Sequence, residues 1–378
     1  MPPISVMIKP VSGSCNMKCE YCFYRDEQEK RNRKNYGIMD QDTLRMIIDK
    51  MLSHGEGLCT ISFQGGEPAL AGLDFYRQAV EYAARRSREG ISLQYSFQTN
   101  GTLIDRKWCE FFRQNHVLVG VSLDGIRSTH DRYRRFSSGA PTWDRVLDGI
   151  GLLEEYGVEY NILTVVHRET ALNIRRIYHF YREMGWDFQQ YIPCLDPLYE
   201  QPGKHGYSLT PQLYGRFLTE LFHCWYEDYR KGCQPCIRQF ENYLEGLLGY
   251  LPESCEYRGS CGIQYAAEAN GDIYPCDFYM LDEYLLGNIR THTIAAMDAR
   301  RESLGFLESS RKHSPKCAAC PWHKICRNGC MRCRMESAPA GYLNYFCEGY
   351  RIFFENCYPQ LQAIARDLRS QGFPASFL

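Results

Sequence analysis

Three cysteines lie close together near the start of the chain, at Cys15, Cys19 and Cys22. Their thiolates fall within a single short loop, which can wrap one corner of a cubane iron–sulfur cluster. A [4Fe–4S] cluster has four irons and normally takes four thiolates, and the sequence offers no obvious local fourth. The pattern therefore predicts a cluster with one iron left open to a small molecule.

The spacing Cys15-x3-Cys19-x2-Cys22, followed by the aromatic Phe23, resembles the radical S-adenosylmethionine (SAM) superfamily. In that superfamily the open iron is chelated by the amino and carboxylate groups of SAM. The alternative is a zinc knuckle or three unrelated cysteines. Zinc sites, however, usually use paired Cys-x2-Cys units and four protein ligands.

A glycine-rich turn, Gly65-Gly66-Glu67-Pro68, follows a predicted strand, and glycine lets backbone groups approach a ligand closely. Placed after the cysteine loop, it resembles the GGE motif of the same superfamily. The resemblance implies SAM contacts at Tyr21, Gly66, Ser122, Arg134 and Leu195. Two alternatives remain open: Ser122 as a turn residue at a strand end, and Arg134 as part of a solvated basic run.

A second group of cysteines follows residue 254, and its order resembles the SPASM domain of radical SAM enzymes that modify peptides and proteins. The resemblance implies two auxiliary [4Fe–4S] clusters. Their ligand sets are Cys255, Cys261, Cys276 and Cys330 for the first, and Cys317, Cys320, Cys326 and Cys347 for the second. Two zinc sites with the same ligands are the alternative, because sequence alone does not separate zinc from iron–sulfur. The pair Cys233-x2-Cys236 has no assigned role, and we expect it to be a surface coincidence.

The elements that must position these residues alternate between strand and helix over roughly the first half of the chain. Strands are predicted at 5–9, 59–63, 93–98, 118–123, 160–166 and 188–192, each followed by a helical segment. Six such units predict a partial (β/α)6 barrel of the radical SAM type, with the chemistry at the C-terminal ends of the strands. We expect a radical SAM core domain at 1–235. A loop-rich, cysteine-dense SPASM domain with a C-terminal helix should follow at 236–378.

Composition excludes several function classes. The net charge is −1, so no overall basic field favours nucleic acid or an acidic membrane surface. No apolar run approaches the length of a transmembrane helix, and no signal peptide is evident, so we expect a cytoplasmic protein. Nineteen cysteines without an export signal favour metal clusters over disulfides.

Further segments narrow the resemblance to the anaerobic sulfatase-maturating enzymes. They are Pro2-Pro3, Gln64–Pro68, Gln98–Asp105, Cys194–Glu200 and Tyr274–Tyr279. This family oxidises a cysteine or serine of a sulfatase to Cα-formylglycine without oxygen. The resemblance implies three [4Fe–4S] clusters and SAM, which yields a 5′-deoxyadenosyl radical that removes a Cβ hydrogen. It makes Asp277 the catalytic base, while the second electron leaves through the auxiliary clusters.

The implied partners are a sulfatase polypeptide, presented as an unfolded or extended Cys/Ser-x-Pro/Ala-x-Arg segment, and an electron donor such as flavodoxin or ferredoxin. Two other functions remain open. One is a radical SAM/SPASM maturase that forms thioether or C–C crosslinks in a ribosomal peptide. The other is an iron–sulfur electron carrier or scaffold, against which the intact SAM motifs argue.

Overall fold

A computed structural model of the chain describes residues 3–337 and 341–372, so Pro2 of the resemblance lies outside the described residues. The strands within these ranges are β1 (Ile4–Ile8), β2 (Gly57–Phe63), β3 (Ile91–Thr99), β4 (Val117–Ser122), β5 (Tyr160–Val166), β6 (Phe188–Pro193), β7 (Cys236–Ile237), β8 (Tyr265–Ala267), β9 (Asp272–Tyr274), β10 (Gly287–Asn288), β11 (Arg334–Glu336) and β12 (Tyr342–Asn344).

The α-helices in the same ranges are α1 (Phe23–Glu29), α2 (Gln41–His54), α3 (Leu73–Arg86), α4 (Arg106–Gln114), α5 (Arg127–Tyr133), α6 (Trp143–Glu155), α7 (Arg168–Leu172), α8 (Ile174–Glu183), α9 (Pro211–Tyr229), α10 (Arg238–Leu248), α11 (Cys255–Arg258), α12 (Ile294–Ser303), α13 (Phe306–Ser310), α14 (Pro315–Ala318), α15 (His323–Cys326) and α16 (Cys347–Ser370). None of these helices combines the length and the apolar character that crossing a membrane requires.

The chain forms two compact units, each built from separate segments. The first unit contains the residues up to Leu123, His130–Asn161 and Ile263–Gly305. The second contains Asp124–Thr129, Ile162–Gly262 and the residues from Phe306 onward. Both units therefore draw on the chain before and after the expected domain boundary at 235/236, which remains a prediction from sequence.

The first unit is organised around parallel strands β1 to β4, which pair in chain order. On the other side of β1, strand β8 pairs in parallel, and β9 and β10 extend the sheet in antiparallel fashion. Because β1, β2 and β3 run in the same direction, the loops that follow them leave from one edge of the sheet. Those loops carry the first three cysteines, the GGE turn and Asn100.

Aromatic side chains fill the core of the first unit between the sheet and its helices. The ring of Tyr76 on α3 packs edge-on against Phe63 of β2 and Phe97 of β3, at centroid distances of 4.9 and 5.1 Å. Trp108 of α4 closes the cluster, 5.3 Å from Phe97. Edge-to-face packing of buried rings adds to the hydrophobic stabilisation of the sheet that carries the site.

In the second unit, strands β5, β6 and β7 run parallel, and helices α9 and α16 pack closely. Glycines permit this approach. A Cβ atom at Gly215 would lie 2.7 Å from the Gly349 carbonyl oxygen, and one at Gly349 would lie 2.3 Å from the Pro211 carbonyl oxygen. A larger residue at either position would push the helices apart.

The six predicted strands are present, each followed by a helix, with ends that shift by one or two residues. Helix α4, for example, begins at Arg106 because Asp105 caps it by accepting a hydrogen bond from the Trp108 amide at 3.0 Å. The sequence analysis did not identify the short helix α1, which follows Cys22 directly.

Candidate functional site

The cysteine loop follows β1 in the first unit and holds its thiols in a largely buried setting. Burial raises the pKa of the Cys15 thiol to about 11, although the Met17 amide donates a hydrogen bond to its sulfur at 3.3 Å. Burial also raises the pKa of Cys22, against hydrogen bonds from the backbone of Arg25 and Tyr24. A metal binds the thiolate form of cysteine. Its positive charge would stabilise the negative charge that burial disfavours on these sulfurs.

Backbone hydrogen bonds join the cysteine loop to the segment after α5. The Lys18 amide donates to the Arg135 carbonyl at 2.8 Å, and the Ser137 amide donates to the Asn16 carbonyl at 3.1 Å. This pairing brings together two residues predicted to contact SAM. The Arg134 guanidinium donates to the Tyr21 hydroxyl at 3.3 Å, and both side chains are buried.

The GGE turn lies directly against the cysteine loop. Gly66 has a φ of +56°, and a Cβ there would lie 2.2 Å from the Ser14 carbonyl oxygen, so this position requires glycine. The next amide, of Glu67, donates to the same oxygen at 2.8 Å. The position of Gly66 beside the cysteine loop agrees with the expectation from sequence that both serve one site.

The buried carboxylate of Glu67 links the GGE turn to the end of β3. It accepts hydrogen bonds from the Asn100 amide at 2.7 Å, the Thr99 hydroxyl at 2.8 Å and the Ala69 amide at 3.0 Å. Burial raises the pKa of Glu67 despite these donors. Its role in the fold is to fix the relative positions of two loops at the same sheet edge.

Asp277, the predicted base, lies at the start of a short 3-10 turn after β9, with 8% of its surface exposed. The side-chain amide of Gln64 donates to its carboxylate at 3.2 Å and to the Tyr24 hydroxyl at 2.5 Å. The Cys276 thiol donates to the other carboxylate oxygen at 3.4 Å. Burial raises the pKa of Asp277, which increases its capacity to accept a proton.

Tyr24 is buried beside this carboxylate and remains a neutral phenol. Burial and the charge of Asp277 raise its pKa well above the ordinary value. The ammonium of Lys9 lies 4.7 Å from the centroid of the Tyr24 ring, and its side chain is fully buried. The site therefore combines a carboxylate, an amide, a phenol and a cation at the end of β1 and β2.

A buried ion cluster lies next to these residues. The carboxylate of Glu268, which follows β8, pairs with Arg31 at 2.6 Å and with Lys9 at 3.8 Å. Burial by itself raises the pKa of Glu268, but the charges of Lys9 and Arg31 outweigh it and lower the pKa overall. The ion pair with Arg31 joins the segment after α1 to the turn between β8 and β9.

In the second unit, the four thiols of the predicted second auxiliary set, Cys317, Cys320, Cys326 and Cys347, influence one another. Burial and the charges of the other three thiolates raise the pKa of Cys326 to about 12. The turn after Cys326 is left-handed at Arg327, Asn328 and Gly329. The buried Asn328 side chain fixes this turn, since it accepts from the Asn344 amide at 2.8 Å and donates to the Tyr342 carbonyl at 2.9 Å.

Three of the four cysteines in the predicted first auxiliary set also lie in the second unit. Burial and the neighbouring thiolates of Cys330 and Cys255 raise the pKa of the Cys261 thiol to about 12. The Cys261 amide donates to the Ser310 hydroxyl at 2.9 Å. Cys276, the fourth cysteine of this set, belongs to the first unit. It lies two residues after the end of β9.

Four further residues were singled out from the sequence: two predicted SAM contacts and the cysteine pair without an assigned role. Ser122 is the last residue of β4 and is partly exposed, while Leu195 follows β6 in the second unit. Cys233 is exposed, and Cys236 begins β7 with a pKa raised by burial and by Glu241.

All nineteen cysteines are free in the structure. Over the described parts of the chain, no three His, Cys, Asp or Glu side chains converge on a point that would hold a single metal ion. Ligands of a cubane cluster each bind a different iron, so they surround a group larger than one ion.

The sequence analysis gave no role to Tyr24, Gln64, Lys9 or Asn100. One signal was available for Gln64, which directly precedes Gly65 at the end of a strand, where site residues were expected. Lys9 follows β1 in the same way. Nothing local in the sequence links either residue to Asp277.

Comparison with known proteins identifies two domains in the chain and several relatives. Residues 10–181 match the Radical SAM superfamily, and residues 260–321 match the SPASM iron–sulfur cluster-binding domain. The chain is 42% identical to the cysteine-type anaerobic sulfatase-maturating enzyme of Clostridium perfringens (strain 13), covering 98% of this chain and 100% of that protein. It is 32% identical to the serine-type enzyme of Bacteroides thetaiotaomicron, covering 100% and 94%.

The fold is also similar to that of a solved structure, native anSMEcpe with bound AdoMet and Cp18Cys peptide. The TM-score is 0.92 at 40% sequence identity, and the match covers 97% of this chain and 100% of that one. The radical SAM and SPASM architecture expected from the sequence is therefore confirmed.

Proposed function

The chain belongs to the anaerobic sulfatase-maturating enzymes of the radical SAM superfamily, and from this membership we propose that it oxidises a cysteine of a sulfatase to Cα-formylglycine. One observation carries the choice of cysteine: identity to the cysteine-type relative is 42%, against 32% for the serine-type relative. The comparisons favour sulfatase maturation over the crosslinking of a ribosomal peptide.

The enzyme is an oxidoreductase that uses iron–sulfur clusters and SAM. When bound, these groups supply the one-electron chemistry, which is the removal of a Cβ hydrogen atom and the acceptance of the remaining electron. Cys15, Cys19 and Cys22 hold the first cluster. Two further sets hold the auxiliary clusters: Cys255, Cys261, Cys276 and Cys330, and Cys317, Cys320, Cys326 and Cys347. The mutual influence of Cys326 with Cys317, Cys320 and Cys347 supports the second of these sets, and that of Cys261 with Cys255 and Cys330 supports three members of the first.

Asp277 takes the thiol proton of the target cysteine. Loss of the hydrogen atom, this proton and the remaining electron leaves a thioaldehyde, which water hydrolyses to the aldehyde with release of hydrogen sulfide. Two observations support this role: the carboxylate is largely buried, and the side-chain amide of Gln64 orients it through a hydrogen bond. A buried carboxylate with a raised pKa is a stronger base than one in water. Tyr24 stays protonated and lies beside the base.

Tyr21, Gly66, Ser122, Arg134 and Leu195 position SAM. The buried Arg134 guanidinium offers a charge-assisted partner for the SAM carboxylate, and its hydrogen bond to Tyr21 limits its rotation. Gly66 lies directly against the cysteine loop, at a position with no room for a Cβ atom.

The substrate is a peptide segment of a sulfatase, presented in an extended conformation around the target residue. A target inside a folded domain would not reach a buried base such as Asp277. A flavodoxin or ferredoxin supplies the electron.

The deciding experiment is anaerobic incubation of the reconstituted enzyme with SAM, reductant and a Cys-x-Pro-x-Arg peptide, followed by mass spectrometry. We expect the aldehyde product of the cysteine peptide to form faster than that of the matched serine peptide, and no product from the alanine peptide. SAM cleavage with an unmodified cysteine peptide, or a crosslinked peptide product, would contradict the proposal.

A further inference from the structure

Three polar side chains next to Cys15 form a closed ring of hydrogen bonds. Asn16 Nδ2 donates to the Thr102 hydroxyl at 2.9 Å, and that hydroxyl donates to Asn100 Oδ1 at 2.7 Å. Asn100 Nδ2 donates back to Asn16 Oδ1 at 2.8 Å. Asn100 and Thr102 are buried, whereas Asn16 is partly exposed.

The orientation of the Asn100 amide follows from its partners. Its Oδ1 also accepts the backbone N–H of Thr102 at 3.0 Å, and a backbone N–H is only a donor. Rotating the amide by half a turn would place two donors against each other. The NH₂ group must therefore face the cysteine loop, where its nitrogen lies 3.8 Å from the Cys15 sulfur and 2.8 Å from Asn16 Oδ1.

Asn100 is also held in place by residues outside the cysteine loop. Its backbone N–H donates to the buried Glu67 carboxylate at 2.7 Å. The following residue, Gly101, has a φ of +79°, and its N–H donates to the Thr99 hydroxyl at 3.1 Å. The donor that faces Cys15 is therefore fixed by the end of β3 before any cluster binds.

We propose that Asn100 is a positioning residue for the Cys15 thiolate and that its N–H···S contact raises the reduction potential of the cluster which this thiolate holds. The inference rests on the proposed function for Cys15 as a cluster ligand. Hydrogen bonds to cluster sulfurs tune the potential because they stabilise the more negative, reduced state. The Met17 amide also donates to Cys15, but it belongs to the backbone, so Asn100 is the donor that substitution removes.

The test is a redox titration of reconstituted enzyme, with the first cluster identified by the change in its EPR signal when SAM binds. In Asn100→Ala the N–H is lost and no charge is added. We expect the ratio of reduced to oxidised first cluster, at the wild-type midpoint, to fall about tenfold, the lower end of what outer partners of a metal site contribute. For one electron this is a shift of about 59 mV to lower potential. Asn100→Asp should lower the reduction potential of the first cluster by at least as much.

The matched control is the same pair of substitutions at Asn115, whose Nδ2 donates to the Phe111 carbonyl at the end of α4. Those variants should keep the wild-type potential. An unchanged potential in Asn100→Ala with full iron would overturn the proposal, and so would a shift seen only in Asn100→Asp, since added charge would then be the cause. Loss of the first cluster in both variants would overturn it too, in favour of a structural role. The potential is measured without sulfatase peptide, so a failed peptide assay counts against the proposed function alone.

Discussion

Gln64 and Asp277 lie 213 positions apart in the chain, yet the amide of Gln64 donates to the carboxylate of Asp277 at 3.2 Å. The same nitrogen contacts the Tyr24 hydroxyl, so one side chain joins the end of β2, the helix after the cysteine loop and the turn after β9. The proposed base is thus oriented by Gln64, which in turn contacts Tyr24. This arrangement leads to specific expectations for variants.

Asp277→Asn keeps the shape of the side chain and removes most of its capacity to accept a proton. We expect formylglycine formation to fall about 10²–10⁴-fold, while SAM is still cleaved to 5′-deoxyadenosine. All three clusters should remain, because Asp277 is not a proposed ligand. Product analysis by mass spectrometry, with iron content as the control, distinguishes the outcomes. Near-normal aldehyde yield would remove Asp277 from the mechanism, and a lost cluster would make it a structural residue.

Iron content tests the ligand assignment. Three cubane clusters hold about twelve irons per chain. Replacing Cys15, Cys19 and Cys22 together with alanine should leave about eight irons and abolish SAM cleavage. Cys59 and Cys109, which are buried core residues, serve as controls, and their alanine variants should keep the full complement. Zinc in place of iron at the cysteines after residue 254 would contradict the assignment.

Arg134→Gln should weaken SAM binding about tenfold or more, since it removes the charge from a buried guanidinium proposed to meet the SAM carboxylate. Its neighbour Arg135 is exposed and provides the matched control, because Arg135→Gln removes the same charge at the surface. Equilibrium binding of SAM to the reconstituted enzyme measures both. Equal affinity in the two variants would place Arg134 in the fold rather than in the SAM site.

Glu268→Gln should destabilise the protein by about 3–5 kcal/mol, because it leaves Lys9 and Arg31 buried without their shared anion. The pKa of Glu268 is lowered in the folded state, so its contribution is fully present above the unfolded pKa. It is lost only as the pH falls through the lowered folded value. The loss in the free energy of unfolding caused by Glu268→Gln should therefore stay constant between about pH 6 and 8.

Anaerobic denaturant unfolding, followed by tryptophan fluorescence, measures this difference. Glu308→Gln is the control, because Glu308 forms an exposed ion pair with Lys312. This substitution should lower the free energy of unfolding by less than about 1 kcal/mol. A deficit in Glu268→Gln no larger than the control's would show that the buried cluster does not stabilise the first unit.

Several of these features were predictable from the sequence because they depend on short-range spacing. The reach of the chain between Cys15 and Cys22 is set by covalent geometry, so a shared loop follows from the spacing alone. The alternation of strands and helices follows from the hydrophobic pattern, whereas exact ends depend on local contacts such as the Asp105 cap of α4. The family resemblance supplied the ligand sets and Asp277.

Only the tertiary structure decided which distant side chains meet. The contact of Gln64 with Asp277 requires β8 to pair with β1, which places the turn after β9 near the end of β2. The ring of Asn16, Asn100 and Thr102 likewise depends on β1 and β3, two parallel strands on either side of β2, ending at one edge of the sheet. No local pattern encodes these contacts, because they arise when the whole sheet packs and buried polar groups must find partners.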